Sequence, residues 1–161
     1  MRAYAASRLA AQVTSLNNAF EATEKPSIAV LPFVNLSGSS EQQYFADGIT
    51  EDLITALTRV RWIHVVARNS VFGYSRKAQE VRQVARDLEA RYVLEGSARR
   101  DTNRVRLTAQ LIDGATGTHI WAKRYDRVLE DIFALQDDLT ESIVAAVVPE
   151  LGEAEREPAE A

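Results

Sequence analysis

The chain has 161 residues, a length that fits one domain with short extensions and allows a sizeable buried core. Hydrophobic residues make up 46% of it and the net charge is −4, which is typical of a soluble globular protein and argues against a function based on a large basic surface. Because the sequence contains no Cys, it excludes a disulfide framework, a thiolate metal site and a cysteine nucleophile.

The first predicted element is a helix over residues 3–21, a stretch without Gly or Pro. Its apolar residues recur at helical spacing and form one narrow stripe: Leu9, Val13, Leu16 and Phe20. This helix either docks on its own domain or pairs with another copy or an upstream domain. We expect an N-terminal helix and linker (1–25), a central domain (26–150) and an acidic flexible tail (151–161). No stretch is apolar and long enough to predict a membrane span.

The central domain is predicted to be α/β, because apolar runs of strand length alternate with stretches of helical period. The predicted elements are a strand at 27–33, a helix at about 42–60, a strand at 62–67, a helix at about 79–89, strands at 92–100, 104–113 and 118–126, and a helix at about 130–148. Helical connections predict parallel strands in the first half, and short turns predict antiparallel strands in the second. The result is a mixed five-stranded sheet with the order β-α-β-α-β-β-β-α.

The core can be predicted from periodicity. Alternation in one strand and helical spacing in the first and last helices select these inward-facing residues: Val105, Leu107, Ala109, Leu111, Phe45, Ile49, Leu53, Leu57, Ile132, Leu135, Leu139 and Ile143.

No catalytic motif is present in the sequence. The loop at 35–41 has neither the Gly-x-Gly-x-x-Gly of a dinucleotide fold nor the Lys-Ser or Lys-Thr pair of a P-loop. His64 and His119 lack metal-ligand spacing, and the carboxylates between residues 130 and 141 fit the first turn and the solvent face of a helix. We therefore predict no catalytic residue, no metal site and no cofactor.

Three groups of residues are candidates for binding. Polar residues follow the two parallel strands and form a candidate ligand loop: Asn35, Ser37, Arg68, Asn69 and Ser70. Trp121 and Tyr125 share one face of the last strand, which is either covered by a helix or available to a partner. Around one hairpin lie Arg99, Arg100, Arg104 and Arg106, and without interleaved aromatic residues they favour a solvated role over RNA or nucleotide binding.

Several segments in fixed order resemble a known family. They are Ser27–Leu36, Tyr44–Leu57, Val66–Ser70, Val84–Leu88, Tyr92–Ser97, Asn103–Gly117 and Trp121–Ala145. Together they resemble the TolB N-terminal-like domain, in the version found in bacterial class III adenylate/guanylate cyclases and related tetratricopeptide-repeat proteins. Glu89 departs from the pattern, because a Gly is expected at the end of the second helix.

The resemblance implies a non-catalytic interaction or regulatory module within a bacterial signalling protein whose cyclase domain lies elsewhere. Its partners would be another copy of the chain or flanking cyclase and tetratricopeptide domains, and no nucleic acid is expected. A small-molecule sensor is the alternative function. We expect the module in the cytoplasm, with the periplasm as the alternative.

Overall fold

The computed structural model describes residues 25–67, 69–70 and 80–156. The predicted helix with Leu9, Val13, Leu16 and Phe20 lies outside these ranges, as does Arg68. The elements in chain order are β1 Ser27–Val30, β2 Val34–Asn35, α1 Ser40–Thr58, β3 His64–Val65, α2 Val81–Asp87, β4 Tyr92–Asp101, β5 Arg104–Asp113, β6 His119–Val128 and α3 Ile132–Arg156.

One mixed sheet organises these elements, with the strand order β3-β1-β4-β5-β6 and with β2 paired to β4. The strands β1, β2 and β3 run parallel to their neighbours, whereas β4, β5 and β6 form an antiparallel meander. The α/β class and the mixed sheet are confirmed. The described part of the chain has six strands instead of five, because the predicted strand at 27–33 bends at Pro32 and resumes as β2.

The two faces of the sheet carry different helices. The larger core lies under α1 and α3 and includes the inward-facing residues of β5 that alternation predicted: Val105, Leu107, Ala109 and Leu111. A smaller cluster on the other face joins Ala29 and Val93 to Val84 and Ala85 of α2. Since α2 has only seven residues, it packs on one end of that face.

The bend between β1 and β2 is fixed by Phe33. Its ring packs on Gly96, where an added Cβ would lie 2.1 Å from the Thr108 carbonyl oxygen and 2.6 Å from the ring itself. The Phe33 N–H donates to the buried Thr50 hydroxyl (2.9 Å), and that hydroxyl donates to the carbonyl of Ala46 (2.9 Å). The connection is therefore tied both to β4 and to α1.

Replacement of Thr50 by Val should lower the free energy of unfolding by about 1–3 kcal/mol, because the buried Phe33 N–H loses its acceptor. Thr50→Ser keeps the hydroxyl and is the matched control, with a loss limited to about 0.8 kcal/mol for one methyl group. Urea denaturation of both variants measures the difference. Equal losses would contradict the assigned hydrogen bond.

The end of α2 explains the unusual residue at position 89. Glu89 has a φ of +54°. Glu89 and Ala90 donate the two hydrogen bonds of a Schellman cap, from the Ala90 N–H to the Ala85 carbonyl (2.8 Å) and from the Glu89 N–H to the Arg86 carbonyl (3.1 Å). A Gly adopts this left-handed conformation without the steric cost of a Cβ. Glu89 therefore occupies a cap position at which Gly is the usual residue.

We expect Glu89→Gly to raise the free energy of unfolding by about 1 kcal/mol, because it removes the left-handed strain at the cap. Arg86→Gly, inside the same helix, should lower it by about 1 kcal/mol. Thermal and urea denaturation of the two glycine variants would show opposite shifts. A destabilised Glu89→Gly protein would refute the assigned conformation.

The last helix is longer than the sequence predicted. It continues through Pro149 to Arg156, so the predicted end near residue 148 is wrong. Apolar spacing explains the extension, because Leu151 lies one turn beyond buried Val147 and is only 1% exposed. At its far end the Tyr92 hydroxyl donates to the Glu155 carboxylate, which also pairs with Arg91 at 2.8 Å.

The start of α3 also differs from the prediction. Ile132 was predicted to face the core but is 37% exposed, because it is the first residue of α3 and lies about one turn before the first buried residue, Leu135. Leu135, Leu139 and Ile143 are buried as predicted.

Stability should fall as the pH rises from about 10 to about 12. Burial, followed by the hydrogen bond to Glu155, raises the pKa of Tyr92 to about 12 from an ordinary value of 10.0. Between these values the unfolded chain releases the Tyr92 proton and the folded protein retains it, so rising pH favours unfolding. Melting temperatures should drop less steeply across this window for Tyr92→Phe. Parallel curves for the two proteins would contradict the assignment.

Candidate interaction site

The predicted ligand loop uses its polar groups to hold the backbone. The Asn35 amide donates to the Ser39 carbonyl (2.8 Å), and its oxygen accepts from the Ser37 N–H (2.9 Å). The Ser37 hydroxyl in turn accepts from the Arg100 N–H of β4 (2.7 Å). Asn69 and Ser70 follow β3 and are exposed. The structure therefore fastens Asn35 and Ser37 to β4 and to the start of α1.

Trp121 and Tyr125 lie on the face of β6 that α1 and α3 cover. Tyr125 is 2% exposed within the larger core, and Trp121 is partly buried against that core. Burial raises the pKa of the Tyr125 hydroxyl. Of the two aromatic residues, only Trp121 retains an accessible part for a partner.

The structure exposes a set of apolar side chains that the sequence did not identify as a binding surface. Among the described residues, six large hydrophobic side chains are exposed, with Tyr44 at 77% and Phe133 at 74%. All six belong to segments at one end of the sheet, and we call them the apolar pole: Val34, Leu36, Tyr44, Val128, Ile132 and Phe133.

The topology explains why these residues gather. β2 and the loop after it lie beside the carboxyl half of β4, where Leu36 N–H donates to the Ala98 carbonyl (2.9 Å). The helices α1 and α3 run parallel, because Gly48 in the middle of α1 lies beside Gln136 in the second turn of α3, and Gly152 near the end of α3 lies beside Trp62, just after α1 ends. Both helices consequently begin at the same end of the sheet, where Tyr44 lies one turn before Gly48 and Phe133 about one turn before Gln136.

Carboxylates surround this pair of helix starts. The Asp131 carboxylate accepts the Phe133 and Ala134 N–H groups at 3.0 and 3.3 Å, and so caps α3. Farther along, burial and the nearby Asp137 carboxylate raise the pKa of Asp52 in α1. No group of His, Cys, Asp or Glu within the described ranges is arranged to hold a metal ion.

The outer face of β4, β5 and β6 carries four arginines and one carboxylate close to them. We call these five residues the arginine face: Arg99, Arg104, Arg106, Arg124 and Asp126. Arg106 and Arg124 bind Asp126 through their Nε atoms at 2.8 and 3.3 Å. Arg100 was grouped with the hairpin arginines but lies on the opposite face, where its Nε donates to the Thr102 carbonyl (2.8 Å). Because successive side chains of a strand point to opposite faces of the sheet, this cluster contains Arg124 of β6 and does not contain Arg100.

Residues 23–142 match the family described as the HilA/YgeH-like transcriptional regulator, second domain. The chain is also 61% identical over 134 residues to a putative adenylate cyclase 3 of Rhizobium meliloti (strain 1021). That match covers 82% of this chain and 23% of the relative, so the chain spans less than a quarter of the curated relative's length.

Solved structures share the fold. Lipoprotein GNA1162 from Neisseria meningitidis matches with a TM-score of 0.56 and 18% identity, covering 76% of this chain and 96% of that one. TolB from Acinetobacter baumannii matches at 0.53 and 17% identity, covering 77% and 28%. The LpoB C-terminal domain from Salmonella enterica matches at 0.50 and 26% identity, covering 66% and 84%. The TolB-like fold expected from the sequence is confirmed, and no described helix is long and apolar enough to cross a membrane.

Proposed function

The chain belongs to the HilA/YgeH-like transcriptional regulator second-domain family, and from that premise we propose that it is a non-catalytic regulatory module that acts by binding protein. The observation that carries this proposal is the apolar pole. Large hydrophobic side chains gathered at one exposed site are typical of protein-binding surfaces. Tyr44 and Phe133 are the rings with which we expect a partner to pack.

The larger protein around this module is proposed to be a cyclase-type signalling protein. The support is the 61% identity to part of a protein named as a putative adenylate cyclase. Class III cyclase sites form between two cyclase domains, so a module that associates with itself or with a neighbouring domain would set how those domains approach. In this account the chain positions the cyclase domains and catalyses nothing itself.

A small-molecule sensor remains the second candidate, built on the loops after β2 and β3. The hydrogen bonds of Asn35 and Ser37 count against it, because these polar groups are already used within the protein. The exposed Asn69 and Ser70 remain available within the described residues. The cytoplasmic location and the cyclase-associated type of the domain remain predictions.

The proposal is tested by replacing the two exposed rings, in Tyr44→Ser/Phe133→Ser. We expect roughly 30-fold weaker binding of the chain to the remaining segments of the Rhizobium relative or to itself, because the loss of two exposed aromatic anchors at about 1 kcal/mol each weakens such an interface by about 2 kcal/mol. Isothermal titration calorimetry measures the first interaction, and light scattering across micromolar concentrations measures the second.

Glu141→Ser is the matched control, since Glu141 is an exposed α3 residue two turns from Phe133. Unchanged affinity and unchanged solution mass in the double variant would reject the apolar pole as the binding surface. Formation of a cyclic nucleotide from ATP by the isolated chain would reject the non-catalytic assignment.

A further inference from the structure

The arginine face lies on the part of the sheet that α2 does not reach. Side chains alternate along β4, β5 and β6, and α2 packs near Val93 at the start of β4. Farther along the same face the described residues are mostly polar or charged: Glu95, Ser97, Arg99, Asp101, Arg104, Arg106, Thr108, Gln110, Ala122, Arg124, Asp126 and Val128. The cluster is accessible, because the side chains of Arg106 and Arg124 are 50% and 59% exposed.

Asp126 shows how a carboxylate is held on this face. Its carboxylate lies between the Arg106 and Arg124 guanidinium groups, and the hydrogen bond from Arg106 lowers the pKa of that carboxyl below its ordinary value. Arginine forks match the geometry of a carboxylate. One carboxylate is therefore already bound here by the protein itself.

Arg99 has no such carboxylate partner, whereas Arg104 lies opposite Asp101 in the β4–β5 register. Arg99 lies directly opposite Arg106 in the β4–β5 register, and like charges at opposed positions destabilise a sheet. Within the described part of the chain, the Arg99 side chain makes no hydrogen bond or ion pair, although its backbone belongs to the sheet. A cavity of about 300 Å³ lies among these groups, lined by Arg99, Asp101, Arg104, Val105, Arg106 and Asp126.

We propose that this cavity binds a carboxylate side chain from an acidic segment of a partner protein, held by Arg99 and Arg104. The bound carboxylate would separate Arg99 from Arg106 as Asp126 separates Arg106 from Arg124. Val128 pairs with Arg104 and is 56% exposed, so an apolar residue beside the acidic one would contact the edge of the apolar pole. The inference rests on the proposed function, since it names the chemistry of the protein partner.

A nucleic acid fits this face less well than an acidic peptide. Aromatic side chains on which bases could stack are absent from the described residues of this face. Asp101 and Asp126 line the cavity and would repel a continuous phosphate backbone, whereas a single carboxylate can avoid them.

The test uses fluorescence anisotropy with a labelled peptide in which Glu and Leu alternate. We expect the whole chain to bind it, with affinity that falls as salt rises, and Arg99→Gln to bind about tenfold more weakly. Arg61→Gln, an exposed arginine outside the face, is the matched control and should bind as the unaltered chain does. The melting temperature of Arg99→Gln should be equal or higher, since the substitution removes cross-strand repulsion.

Equal binding by Arg99→Gln and the unaltered chain, or no binding of the peptide, would overturn the inference. Tighter binding of a labelled thymidine oligonucleotide than of the peptide would also overturn it. The two proposals can fail separately. If Tyr44→Ser/Phe133→Ser leaves partner binding intact while Arg99→Gln weakens peptide binding, the pole is rejected and the arginine face stands.

Discussion

The Phe33 ring packs on Gly96, which has no side chain, and the positions of β2 and of the start of α1 depend on this contact. It lets the chain bend after β1, and the Thr50 hydroxyl fixes the bend by accepting the Phe33 N–H. The chain then re-enters the sheet as β2 and begins α1 at Ser40. Because this places β2 and the start of α1 beside the second half of β4, the exposed apolar residues of both segments lie at the same end of the sheet.

The parallel arrangement of α1 and α3 has a physical cost and a consequence. Two adjoining helix starts place two positive dipole ends together, and the Glu41 and Asp131 carboxylates in or before the first turns offset that repulsion. The same arrangement puts Tyr44 and Phe133 next to each other at the surface. An exposed aromatic residue of each helix thus lies at the same end of the sheet, which we interpret as the binding surface of the module.

Periodicity predicted the elements and most of the core, because alternation in 104–111 and helical spacing in 45–57 directly mark buried faces. The resemblance identified the TolB-like fold. The bend at Pro32 was missed because the apolar run continues through it, and the extension of α3 was missed because Pro149 suggests a helix end. The apolar pole escaped prediction because Tyr44 and Phe133 lie in different helices, and only the parallel register of those helices brings them together.

Hydrogen–deuterium exchange is the most direct test of whether the apolar pole is covered by protein. The isolated chain would be compared with a chimera of the Rhizobium relative in which this chain takes the place of the segment that matches it. Amides in the first turn of a helix have no backbone partner within it, and those held only by an exposed cap, such as Phe133 and Ala134 on Asp131, exchange readily unless something covers them. If a neighbouring protein segment covers the apolar pole, we expect slower exchange at 34–44 and 128–134 in the longer protein. Unchanged exchange at both segments, with slowing elsewhere or nowhere, would contradict this account.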